Sequence, residues 1–178
     1  LIADATPVCI ECPQSQNYKI TPAQLEAAIT PKTSLFIFSS PCNPTGSLYS
    51  KEELAGLAEV FAKHPDIYIV SDEIYEHIRF EGTHESLAQF NEIFDQVVTV
   101  NGVSKAWAMT GWRLGYIGAS KQIADACNKI QGQFTSGTSS ITQRASIAAM
   151  EADPTVLKEM VETFHKRRDL VLNYLLKI

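Results

Sequence analysis

The sequence predicts an α/β fold, a three-layer α/β/α arrangement built on a mostly parallel sheet. Two observations carry that reading. Short apolar runs rich in β-branched and aromatic residues alternate with segments of helical periodicity, and several of the helical segments open on recognisable caps. Strands separated by helices pair in parallel, and such a sheet needs helices to bury both of its faces.

The strand-like runs are residues 8–12, 35–39, 67–71, 97–101 and 114–119, each bounded by turn formers. Thr21-Pro22 opens a short helix to residue 29, with Thr as the cap and Pro at the first helical position. Ser50-Lys51-Glu52-Glu53 has the form of a capping box and starts a helix that Pro65 stops. The last third is helical: segments over 121–131 and 139–150, then a long helix that Asp153-Pro154 caps and starts. On that last helix Leu157, Met160, Val161, Phe164, Val171 and Leu175 form an apolar stripe, and Lys166-Arg167-Arg168 is expected to face solvent.

At 178 residues with ordinary hydrophobic and charged fractions, the chain can bury a sizeable core. Its formal charge of −5 argues against a nucleic-acid surface. No apolar run approaches the roughly 20 residues that cross a bilayer, and no signal peptide is evident, so a cytoplasmic location is expected. Cys9 and Cys12 form a lone CxxC without a second pair or a histidine at zinc spacing, so they are expected to be reduced core thiols. His64, His77, His84 and His165 are scattered and suggest no metal site.

In open α/β sheets, ligands sit at the carboxyl ends of the strands. Three polar clusters follow predicted strands: residues 39–46 ending in Asn43-Pro44-Thr45-Gly46, residues 71–75 containing Asp72-Glu73-Ile74-Tyr75, and Asn101-Gly102-Val103-Ser104-Lys105. Singly, each could be a β-turn, a helix cap or a surface lysine. Together they hold what a pyridine-based carbanion sink needs. Asp72 can keep a ring nitrogen protonated by opposite charge. Tyr75 and Asn43 can donate to a phenolic oxygen. Lys105, in an apolar setting, is suited to forming a Schiff base, and Arg113 offers a fork for a phosphate. Gly111 and Gly115 would let backbone come close to that arginine.

The run from Gly102 to Gly115, with its lysine and arginine eight apart, resembles the pyridoxal-phosphate attachment signature of class I (fold type I) aminotransferases. Asn43-Pro44-Thr45-Gly46 and Asp72-Glu73-Ile74-Tyr75 resemble that family's two other fixed motifs, in the expected order. The resemblance spans essentially the whole chain and is strongest to bacterial aspartate aminotransferases.

The resemblance implies that Lys105 attaches pyridoxal 5'-phosphate and shuttles the substrate α-proton. It further implies that Asp72 pairs with the pyridine nitrogen, Tyr75 donates to the ring oxygen and Arg113 holds the phosphate. Asn43 would touch the ring oxygen and orient the substrate carboxylate, ahead of an Asn43–Pro44 bond that is often cis in relatives. Glu73 is expected to turn to solvent or a backbone partner.

The activity implied is amino transfer between an amino acid, aspartate foremost, and a 2-oxo acid, within a homodimer whose loop 134–139 approaches the partner's phosphate. Residues 1–152 would belong to the large cofactor domain and 153–178 to a helix leading toward a small domain. The family's Gly-rich phosphate loop and ring-stacking aromatic would precede Leu1, and its substrate-carboxylate arginine would follow Ile178. The isolated segment is therefore expected to turn over poorly. One departure stands out: where some relatives carry a phosphate-binding serine, this chain has Gly102, leaving Ser104 as the substitute. Sister reactions on the same scaffold, carbon–sulfur lysis or cyclopropane formation, and a cofactor-binding sensor joined to a DNA-binding segment are the competing readings.

Overall fold

The computed structural model describes residues 3–178. Four strands, β1 (Leu35–Ser39), β2 (Tyr68–Asp72), β3 (Val97–Gly102) and β4 (Gly115–Gly118), form one sheet in that spatial order. The first three are parallel, and β4 runs antiparallel to β3. The helices are α1 (Pro22–Ala28), α2 (Lys51–Phe61), α3 (Lys121–Phe134), α4 (Ser140–Met150) and α5 (Thr155–Leu175).

The predicted caps form. Thr21 accepts from the Gln24 N–H at 3.3 Å while Gln24 returns a bond to the Thr21 N–H at 3.0 Å. Ser50 and Glu53 make the same reciprocal pair at the start of α2, at 3.2 and 2.7 Å. Each pair satisfies two of the N–H groups that a helix start otherwise leaves without partners.

One expectation about strands is corrected. Residues 8–12 form no regular element and pair with no strand among the described residues; Ile10 and Cys12 rest against the core while Cys9 is exposed, so Cys9 is not a core thiol. The sheet is mostly parallel, as expected; β4 is its antiparallel edge, because turns and a short 3-10 helix at Thr110–Trp112, not a crossover α-helix, occupy the link from β3.

On α2, Leu54, Leu57, Ala58 and Phe61 repeat at one-turn spacing and are fully buried. Phe61 meets Phe36 of β1 with ring centroids 5.2 Å apart, and Ile69 of β2 lies in the same cluster. Burial of each such leucine or phenylalanine contributes roughly 1.5–3 kcal/mol. Tyr49 closes this core at the approach to α2, its hydroxyl accepting from the Ile20 N–H at 2.7 Å; burial pushes its pKa up to about 12. The opposite face of β1 and β2 presents Leu35, Ile37 and Tyr68, which stay 50, 65 and 44 % exposed, so within this chain that face is open.

Helix α5 lies beside the turns that follow β2 and β3. His165 stacks on Phe80 at 5.0 Å and the Arg168 guanidinium sits over the same ring at 5.0 Å. Lys166, Arg167 and Arg168 are exposed, as expected, and Arg167 and Arg168 also line a groove between α5 and the turns that follow β2 and β3. No described helix is long and apolar enough to cross a membrane.

Candidate active site

Ser39, Asp72 and Val100 lie side by side in register on the three parallel strands. The loops that leave these ends carry the three sequence clusters to one rim, as a parallel sheet requires.

The loop after β1 contains two cis prolyl bonds, Ser40–Pro41 and Asn43–Pro44. It closes on itself through Gly46 N–H to Cys42 O at 2.7 Å and Cys42 N–H to Ser47 O at 3.0 Å, with Gly46 at φ 70°. The turn chemistry of Asn43-Pro44-Thr45-Gly46 is thus real, and it leaves the Asn43 side chain free to reach across. Its Nδ2 donates to the Tyr75 hydroxyl at 3.1 Å.

Asp72 ends β2, half-buried, with Oδ1 accepting from the Ile74 N–H at 3.1 Å. That bond starts a turn rather than a helix, continued by Glu76 N–H to Glu73 O and Ile78 N–H to Tyr75 O. The turn presents Tyr75 toward the lysine. Lys105 sits in the turn after β3 between buried Val103 and Ala106, its amine 5.6 Å from the centre of the Tyr75 ring. Among the described residues, no carboxylate approaches that amine within salt-bridge distance.

Tyr75, Ser104 and Lys105 line the groove under α5, whose volume is about 820 Å³ and whose walls include Phe80, Phe164 and Arg167. Asn43, Asp72 and Arg113 lie beyond its lining. Arg113 has a left-handed backbone, φ 54°, and is exposed, with Nη1 donating to Thr110 O at 2.9 Å. Of the flanking glycines, only Gly115 is crowded, since a Cβ there would stand 3.2 Å from Asn101 O, whereas nothing approaches Gly111.

A model of the family described as aminotransferase class I and II matches residues 2–178. The chain belongs to that family. This aminotransferase chain is 48% identical over 175 residues to a bifunctional aspartate aminotransferase and glutamate/aspartate-prephenate aminotransferase of Petunia hybrida, covering 96% of the chain and 36% of that protein. An aspartate/prephenate aminotransferase of Cereibacter sphaeroides is 45% identical, over 98% of the chain and 44% of the relative. The crystal structure of the aspartate aminotransferase from Rhizobium meliloti superposes with a TM-score of 0.96 at 43% identity, covering 99% of this chain and 45% of that one. The chain thus spans less than half the length of these relatives.

The aminotransferase fold also accounts for Gly102. A Cβ on it would meet Leu114 O at 2.8 Å and Gly115 Cα at 3.1 Å, backbone atoms at the start of the paired strand β4 and just before it, which cannot swing aside. A serine here would point into β4. Gly102→Ser is expected to destabilise the fold by about 1–3 kcal/mol through overpacking, without tightening cofactor binding; a thermal melt beside a titration with pyridoxal phosphate measures both. Unchanged melting with tighter binding would refute the steric account.

Sequence reasoning missed the role of Glu73. The residue is 3 % exposed and does not turn to solvent. Its Oε1 accepts from Ser71 Oγ at 2.9 Å and Ser86 Oγ at 2.7 Å, and its Oε2 pairs with His84 Nε2 at 2.8 Å. Strand alternation was the available signal: Ile69, Ser71 and Glu73 share the core side, and Asp72 takes the other. Glu73, Glu76 and His84 bring ligand-type atoms within 4.8 Å of one another, but Glu73 is already satisfied by its three side-chain partners.

Proposed function

We propose that this chain supplies cofactor-holding residues of an aminotransferase that uses pyridoxal 5'-phosphate to move an amino group between an amino acid, aspartate foremost, and a 2-oxo acid. The observation that supports this most is a convergence. The Asn43 amide and the Tyr75 hydroxyl meet at 3.1 Å, and an amine without an acid partner stands 5.6 Å from the same tyrosine ring, at the carboxyl ends of parallel strands.

The donor set fits the cofactor. Tyr75 and Asn43 are paired donors for a ring oxygen, the Asp72 carboxylate has one oxygen engaged by a backbone N–H and a second for a protonated ring nitrogen, and Lys105 presents its amine to an aldehyde. Ser104 and Arg113 are taken as phosphate ligands. When bound, the protonated pyridine supplies a sink for the electron pair left as the substrate α-proton departs. Lys105 would hold the cofactor covalently through its amine and, once the incoming substrate amine has displaced it, the freed amine would take the α-proton as a general base. Asn43 also orients the substrate carboxylate. The reading includes a homodimer, with loop 134–139 beside the partner's phosphate, and assigns residues 1–152 to the cofactor domain and 153–178 to the helix leaving it.

The test is covalent trapping. The intact protein is mixed with pyridoxal phosphate, its visible absorbance recorded, and the attachment fixed with borohydride and mapped by peptide mass spectrometry. Modification of Lys105 is expected. Modification elsewhere, or none, would overturn the assignment.

A further inference from the structure

Lys105 leaves the sheet on a turn, and a turn alone does not fix a four-carbon side chain to the tolerance that proton transfer demands. The residues around it supply the missing restraint. Asn101, four residues earlier, is 7 % exposed; its Nδ2 donates to Glu76 Oε1 at 2.8 Å and its Oδ1 accepts from the Gly102 N–H at 2.8 Å. The same Glu76 oxygen lies 3.2 Å from His77 Nε2. The His77 ring in turn meets Trp107, two residues after Lys105, edge-on with centroids 5.4 Å apart. One carboxylate oxygen is therefore shared by contacts reaching both flanks of the lysine turn. Glu76 itself belongs to the turn that presents Tyr75, where its N–H bonds Glu73 O at 2.9 Å and its carbonyl accepts from Arg79 Nη1 at 2.6 Å. Tyr116, opposite Asn101 on β4, also faces this carboxylate; burial, and secondarily the Glu76 charge, raise its pKa.

We propose that Glu76 is a positioning residue for Lys105: through Asn101 on one flank and the His77–Trp107 pair on the other, it locks the lysine turn to the turn that carries Tyr75. Resting on the aminotransferase reading above, this assigns work to four residues outside the cofactor-contacting set. An uncompensated loss of the carboxylate leaves a buried amide without its acceptor and frees the lysine turn.

The experiment compares Glu76→Ala, Glu76→Gln, Asn101→Ala and the double alanine variant with the unaltered intact protein. Glu76 is about a quarter exposed, 28 %, so its truncation is compatible with folding, which thermal melts verify. In Glu76→Ala, kcat is expected to fall about 10- to 100-fold with KM within about 2-fold, as for a misplaced but present catalytic group. The pH midpoint of the visible absorbance of cofactor-bound Lys105 is expected to move by about 0.5 unit or more. Amide hydrogen exchange over residues 102–108 is expected to quicken without cofactor present. Glu76→Gln, which keeps an oxygen acceptor for Asn101, should recover most of the lost turnover, and the double variant should be no worse than the poorer single one.

Folded alanine variants with unaltered turnover and absorbance midpoint would overturn the positioning role while leaving the aminotransferase reading intact. So would a Glu76→Gln variant as impaired as the alanine. An unaltered protein that never develops visible absorbance with pyridoxal phosphate would instead overturn the aminotransferase reading, and this proposal with it.

Discussion

Lys105→Ala is expected to abolish covalent attachment of pyridoxal phosphate and to lower amino transfer by at least about 10³-fold, the combined loss of a nucleophile and a general base. The informative companion is Lys105→Arg. A guanidinium keeps the charge and much of the reach but does not deprotonate in proteins, so it neither condenses with an aldehyde nor accepts a proton. If Lys105 served merely as a cation beside a phosphate, arginine would restore binding and turnover together. The setting of the amine argues for the nucleophile: it is flanked by buried Val103 and Ala106, faces the Tyr75 ring at 5.6 Å, and has no acid within ion-pair distance among the described residues. A lysine held by a carboxylate would be pinned in its charged form. Absorbance with cofactor, borohydride trapping and a coupled assay for 2-oxo acid formation distinguish the cases. Substantial turnover by either variant would remove Lys105 from the chemistry.

How far the sequence carried these conclusions can be judged residue by residue. Strand β1 lies where its pattern placed it, and α1 and α2 start at their predicted caps, because short strands and capping boxes are local signals. The rim bearing Asn43, Tyr75 and Lys105 was readable because a parallel sheet sends the loops after consecutive strands to the same edge. What failed was information held by partners distant in sequence. The 8–12 segment has strand-like residues but no neighbour to pair with among those described, and propensity cannot supply one. The basic stretch of α5 is exposed as read, but the stacking of Arg168 on Phe80 was not legible because that ring lies far back in the chain.

Glu73 is the most instructive of these failures, and Glu73→Ala is expected to cost about 3–5 kcal/mol of stability, the scale for removing one member of a buried charged network. Truncation takes the shared carboxylate from Ser71 Oγ, Ser86 Oγ and His84 Nε2 in a mostly buried site, and His84 Nδ1 is already buried without a partner. It also cuts the tie between the end of β2 and the segment carrying His84 and Ser86, whose hydroxyl additionally accepts from the Ala88 N–H at 3.2 Å. For a domain of this size the melting temperature should fall by roughly 10 °C. Glu73→Gln separates hydrogen bonding from charge: its carbonyl oxygen still accepts from one or both serines, so it should lose less than alanine does. A calorimetric scan of the intact protein and both variants reads the difference. A melting temperature lowered by less than about 3 °C in Glu73→Ala would mean that water or a side-chain rearrangement replaces the carboxylate at little cost, and that the brace is incidental to the fold.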